Sequence, residues 1–175
     1  MTNKILGIDP GLRVTGYGVI SNSSGIISYE ASGVIKTTNQ DSDLASRIKI
    51  ILLGLDEVIC KFKPNCVAIE KVFVNVNPQS TLLLGQARGA AISAAVLQNL
   101  DVFEYTALQV KKSVVGMGHA SKSQVQIMVQ KLLNLPSVPS QDSADALACG
   151  ICHANISGSL AKFGTGNRMK SGRII

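Results

Sequence analysis

The sequence predicts an α/β fold, a mixed five-stranded sheet with helices on both faces. Three observations predict it. Three runs rich in β-branched and aromatic residues fill the first 37 positions, broken by Pro, Gly, Ser and Asn, as in antiparallel strands joined by tight turns. Helical spacing then alternates with short apolar runs as far as Tyr105. The last periodic segments are helical, and strands followed by alternation and then helices give a mixed sheet covered on both sides.

Ile5-Leu6-Gly7-Ile8-Asp9 is an apolar run stopped by Pro10-Gly11 and reads as a buried strand ending in a turn. Residues 14–20, and 26–29 running on to Gly33-Val34-Ile35-Lys36-Thr37, carry hairpin signals. Leu44, Ile48, Ile51, Leu52, Leu55 and Ile59 recur at helical spacing behind the capping candidates Asp41 and Ser42, and Lys61, Lys63 and Pro64 close that helix. Cys66-Val67-Ala68-Ile69-Glu70 is a strand that, like the first, ends in an acid. Residues 78–100 read as a long helix with a small middle, where Gly85, Gly89 and Ser93 stand four apart beside Ala90 and Ala94. Such a face fits close packing on its own sheet or a contact with another subunit. Residues 101–105 form a short strand. Ser121 begins a helix with the apolar face Val125, Met128, Val129, Leu132 and Leu133, which Pro136 and Pro139 end, and Ser140 caps a last helix over residues 141–157. Residues 158–175 have little periodicity and are expected to be a mobile basic tail beyond one domain of residues 1–157.

A chain of 175 residues with 46% apolar and 16% charged side chains can build its own core and is not disordered throughout. The longest charge-free runs, 14–29, 72–87 and 146–161, hold 16 residues each, short of the roughly 20 a spanning helix needs. No membrane segment is expected. Asp9 interrupts the N-terminal region before a signal-peptide core forms, so the protein is expected in the cytoplasm with its four cysteines reduced. The net charge of +6 is unevenly spread: residues 1–104 hold nine bases and nine acids, residues 105–175 eight bases and only Asp142 and Asp145. Lys111, Lys112, Lys122 and Lys131 fall in a stretch without acids. That surface suits a polyanion, with nucleic acid the commonest, or is simply a solvated face.

Asp9 and Glu70 each end a buried strand, where sites gather in open α/β sheets. Asp142 and Asp145 are three apart in the opening turns of the last helix and share a face; acids there also suit the helix dipole. At an effective dielectric near 20, two carboxylates about 5.5 Å apart repel by roughly 3 kcal/mol, so four converging acids call for a cation. Hard oxygen ligands in this number suit Mg²⁺ or Mn²⁺, and two ions about 4 Å apart can activate a water and stabilise the leaving oxygen of a phosphodiester. Four acids and a basic half together suggest a metal-dependent nuclease.

Gly7-Ile8-Asp9-Pro10-Gly11 followed by Arg13-Val14-Thr15-Gly16-Tyr17-Gly18 resembles the opening of the RuvC family of crossover junction endodeoxyribonucleases. Ala68-Ile69-Glu70 with Val72-Phe73, Leu84-Gly85-Gln86-Ala87-Arg88-Gly89, Val110-Lys111, Val114-Val115-Gly116, Lys122-Ser123-Gln124-Val125 and Asp142-Ser143-Ala144-Asp145-Ala146-Leu147-Ala148 match it in order and spacing, over residues 4–157. The resemblance implies a ribonuclease H-like fold and a homodimer that resolves four-way DNA junctions by symmetric nicks, working with the RuvA–RuvB branch-migration helicase. It implies Asp9, Glu70, Asp142 and Asp145 as metal ligands for two Mg²⁺ ions, with Mn²⁺ able to substitute. It further implies Lys111 and Lys122 near the scissile backbone, Arg88 and Lys112 as DNA contacts, and Phe73 against a junction base, where a ring can stack. Some members carry His at the last acidic position; Asp145 stands there in this chain.

Cys149-Gly150-Ile151-Cys152-His153 fits a haem-attachment pattern but continues an Ala-rich helix without an export signal. Cys60, Cys66 and His119 lack paired zinc spacing. His119 and His153 read as ordinary polar side chains. Two other functions remain at this level: a nucleotide-binding domain of the actin and sugar-kinase type, which needs two such domains, and a DNA-binding module without catalysis.

Overall fold

The computed structural model describes residues 2–37, 43–72, 77–162, 169–170 and 173–174. Strands β1 (Asn3–Asp9), β2 (Val14–Ser23) and β3 (Ile26–Lys36) form an antiparallel meander. Ser24 and Gly25, at φ 53° and 91°, make the two-residue turn of the second hairpin, whose twist matches that of its strands. Helix α1 (Leu44–Phe62) is capped by Asp43, whose carboxylate accepts the Ser46 N–H at 2.6 Å and the Ser46 hydroxyl at 3.1 Å. Those bonds hold the Asp43 carboxyl below its ordinary range. The expected caps Asp41 and Ser42 lie outside the described residues.

β4 (Cys66–Glu70) joins β1 in parallel, and β5 (Asp101–Tyr105) joins β4 in parallel, giving the order β3-β2-β1-β4-β5. Helix α2 (Pro78–Leu97) is the crossover between them and stops short of the expected residue 100. Helix α3 (Ala107–Val115) was not foreseen, although Thr106 and Gln109 form a capping box and Gly116, at φ 85°, ends it. α4 (Lys122–Leu132) and α5 (Gln141–Lys162) follow, α5 running past the expected end at 157. Beyond it, β6 (Met169–Lys170) and β7 (Arg173–Ile174) pair antiparallel.

The sheet divides two cores. Leu6, Ile8, Val19, Val67 and Ile69 pack with Ile51 and Leu55 of α1 and the alanines of α2. Ile5, Ile20, Cys66, Ala68 and Tyr105 pack with Val110, Val125, Leu147 and Ile151 from α3, α4 and α5. Successive strand residues alternate sides, so Asp9 and Glu70 belong with Ile5 and Cys66 on the α5 side.

α2 bears on two of these readings. Ala87, Ala90, Ala91, Ala94 and Ala95 are its buried face, whereas Gly85, Gly89 and Ser93 are exposed, with nothing within 4 Å of a Cβ at either glycine. The small stripe does not pack on its own sheet. α2 is also long and apolar enough in composition to cross a membrane, which counting charge-free runs had excluded; here its alanines lie in the core and its Arg88 pairs with Glu104.

Candidate active site

Strand register sets the first two acids. Ile8 lies opposite Ile69 across the parallel β1–β4 pair, so Asp9 and Glu70, one residue on, end neighbouring strands at their carboxyl ends. α5 supplies the other two. Gly16 is the register partner of Asp9, and a Cβ at Gly16 would collide with the Asp142 carbonyl oxygen and stand 3.2 Å from the Asp142 Cβ. At Gly7 a Cβ would collide with the Ala146 carbonyl. The absent side chains let α5 lie directly on the β1–β2 backbone, which brings its first turns over Asp9. Between the two acids, the Ser143 hydroxyl donates to the Gly33 carbonyl at 3.3 Å and accepts from the Ser140 hydroxyl at 2.8 Å, tying the start of α5 to β3.

The charges act on one another. Burial pushes Asp9 up to about 7, with repulsion from Asp145, Glu70 and Asp142 adding to it and Lys122 opposing. Glu70 is raised by burial and then by Asp145, against Lys122 and Lys111. Asp145 is raised by burial, lowered by Lys122, raised by Asp142 and lowered by Lys111. Lys122 Nζ stands 3.9 Å from Asp145 Oδ2. The Ser121–Gln124 capping box starts α4 at Lys122, and a cation there opposes the helix dipole by about 0.3–1 kcal/mol. The neighbouring acids offset that, although the lysine is 62% exposed and the pair adds little to stability.

Among the described residues, no three acidic, histidine or cysteine side chains stand as a ready-made coordination shell. The four acids instead form a partly buried, self-repelling group of hard oxygen donors, which fits a divalent cation of the Mg²⁺ type.

The other expected residues divide. Lys111 acts on Glu70 and Asp145, while Lys112 is exposed beside it. Arg88 reaches from the opposite side of the sheet: its Nε donates to the Glu70 carbonyl at 3.2 Å and its guanidinium pairs with Glu104. Phe73 lies outside the described residues. Cys66, Cys149 and Cys152 are buried and Cys60 is exposed, all four as free thiols. Burial pushes Cys66 up to about 12 and Cys152 up to about 11. His119 is exposed. His153 is buried, accepting or donating through Nδ1 to the Tyr105 hydroxyl at 2.7 Å and through Nε2 to Cys66 Sγ at 3.5 Å. Sequence reasoning missed the hold of Arg88 on Glu70 and the seat that Gly16 makes for Asp142. The second had a signal, since a glycine inside a strand marks close backbone approach.

The pattern of the family described as crossover junction endodeoxyribonuclease RuvC matches residues 5–153. The chain is 64% identical to a crossover junction endodeoxyribonuclease RuvC of Methylobacillus flagellatus, covering all of both chains. It is 58% identical to that of Herminiimonas arsenicoxydans over 98% of this chain and 99% of the other. Its structure is similar to a Thermus thermophilus RuvC solved with a Holliday junction substrate, at 32% identity and TM-score 0.83, covering 90% of this chain and 96% of that one. A yeast mitochondrial Holliday junction resolvase shares the fold at 14% identity and TM-score 0.63, over 92% and 83% of the two chains.

Proposed function

The chain belongs to the RuvC family of crossover junction endodeoxyribonucleases, and on that premise we propose that Asp9, Glu70, Asp142 and Asp145 hold its catalytic metal. The protein is a Holliday junction resolvase of DNA recombination and repair, and its nuclease activity is metal-dependent. The observation that supports the site assignment is the register that ends β1 and β4 side by side at Asp9 and Glu70, with the start of α5, which carries Asp142 and Asp145, seated on Gly16, the register partner of Asp9. We assign two Mg²⁺ ions per site, replaceable by Mn²⁺; when bound, they supply Lewis acidity to activate a water and stabilise the leaving oxygen.

The protein's own residues do the rest. The sheet fixes Asp9 and Glu70, α5 presents Asp142 and Asp145, and Arg88 braces the Glu70 backbone. Its guanidinium is already engaged by Glu104 and the Glu70 carbonyl, which supports bracing over the DNA contact the resemblance implied. Lys111 and Lys122 offset the acids and meet the scissile backbone, Lys112 extends that basic surface, and Phe73 stacks on a junction base. A homodimer, cutting two opposed strands, is supported by the exposed stripe of α2. Leu82, Val96 and Leu97, at 70%, 57% and 69% exposure, flank Gly85, Gly89 and Ser93 there. Partnership with RuvA–RuvB and a place in the bacterial cytoplasm rest on the family resemblance.

The test is a strand-resolved assay on a synthetic four-way junction with and without Mg²⁺. Wild type is expected to make paired nicks only with the metal; Asp9→Asn and Asp145→Asn are expected to bind the junction and leave it uncut. Cleavage by either variant in Mg²⁺ overturns the assignment.

A further inference from the structure

Residues 1–104 balance nine bases with nine acids, but the balance is not local. Lys4 pairs with Glu30 at 3.7 Å and Arg88 with Glu104. Arg13 and Lys36 are exposed, and among the described residues neither side chain makes an ion pair, hydrogen bond or ring contact. Both stand at the end of the sheet where the acids gather. Arg13 is on the loop that follows Asp9, and Lys36 ends β3 opposite Val14.

The loop is stapled in place. The fully buried Thr15 donates its hydroxyl to the Gly11 carbonyl at 2.7 Å and accepts the Gly11 N–H at 3.3 Å. From the end of β3, the Thr37 hydroxyl donates to the Leu12 carbonyl at 2.7 Å and its N–H to the Arg13 carbonyl at 3.0 Å. Two exposed cations are thus carried on adjoining backbone segments that have little freedom to separate. Neither is among the cations that offset Asp9, Glu70 or Asp145, a role that falls to Lys122 and Lys111. An anion is the partner that would complete them.

We propose that Arg13 and Lys36 form a second phosphate-binding patch, on the β2–β3 side of the carboxylates, that grips the backbone of the DNA strand being cut. The strand is then held on both sides of the scissile phosphate, by Arg13 and Lys36 on one and by the lysines of α3 and α4 on the other. This rests on the nuclease reading above and names a contact that reading lacks. Cations that meet phosphates gain affinity by counterion release, each phosphate contact contributing about 0.9 to the slope of log affinity against log salt.

The test is a fluorescence titration of a four-way junction, without divalent metal, across a series of salt concentrations. Variants are Arg13→Gln, Lys36→Gln, the double variant, and Lys63→Gln, an exposed lysine just before β4 at the opposite end of the sheet. The slope is expected to fall by about one unit in each single variant and about two in the double, to return in Arg13→Lys, and to stay at the wild-type value in Lys63→Gln. A double variant with the wild-type slope overturns the patch while wild type still nicks the junction. Wild type that neither binds nor nicks the junction overturns the nuclease reading as well.

Discussion

His153 shows what a single buried polar residue does for the fold beneath the acids. Its ring sits 4.4 Å from Phe103 between the Tyr105 hydroxyl and Cys66, and burial pushes it down to about 4 from an ordinary 6.5. The unfolded chain therefore binds a proton there that the native state refuses, so stability is lost as pH falls from 6.5 toward 4. Between pH 6.5 and 5 this amounts to about 1.5 kcal/mol. His153→Gln, compared with wild type by urea unfolding at both pH values, is expected to lose that much less on acidification. Equal losses would show that the native ring accepts the proton. Asp9 works in the opposite sense, because its carboxyl is raised, and the comparison between variants leaves its contribution unchanged.

At the scale of elements, the decisive contact is α5 on the glycines of β1 and β2. Gly16→Ala places a methyl group against the Asp142 backbone, where α5 cannot retreat without moving its acids. It is expected to destabilise the protein by about 1–3 kcal/mol and to reduce junction nicking at least tenfold, measured by thermal unfolding and the strand-resolved assay. Unchanged nicking would mean that α5 is not seated there.

The strands of the main sheet were readable from β-branched and aromatic residues bounded by turn residues, and Asp9 and Glu70 were readable because they end short apolar runs. α3 escaped because its nine residues show only Val110 and Val114 as a buried face, although Thr106 and Gln109 announced its start. The seat of α5 on Gly16 and the pairing of Arg88 with Glu104 join residues far apart along the chain, where local periodicity carries no information. Charge counting by halves likewise hid Arg13 and Lys36, because balance along a sequence says nothing about balance in space.

For the whole molecule, the outward stripe of α2 is the feature the monomer fold leaves unexplained. Glycine in an exposed helix position costs about 1 kcal/mol relative to alanine, and Gly85 and Gly89 both sit there with nothing of their own chain near a Cβ. The proposed dimer, with a second copy approaching closely, would give them a purpose. Gly89→Leu is expected to shift the protein toward monomer in sedimentation velocity while leaving its unfolding temperature near wild type, and to uncouple the two nicks. A dimer that persists in Gly89→Leu would place the subunit contact elsewhere.

In the proposed site, the first strand and the last long helix each bring acids that serve only together. On that assignment a chain cut short before α5 keeps Asp9 and Glu70 but lacks Asp142 and Asp145, and is expected to leave a four-way junction uncut.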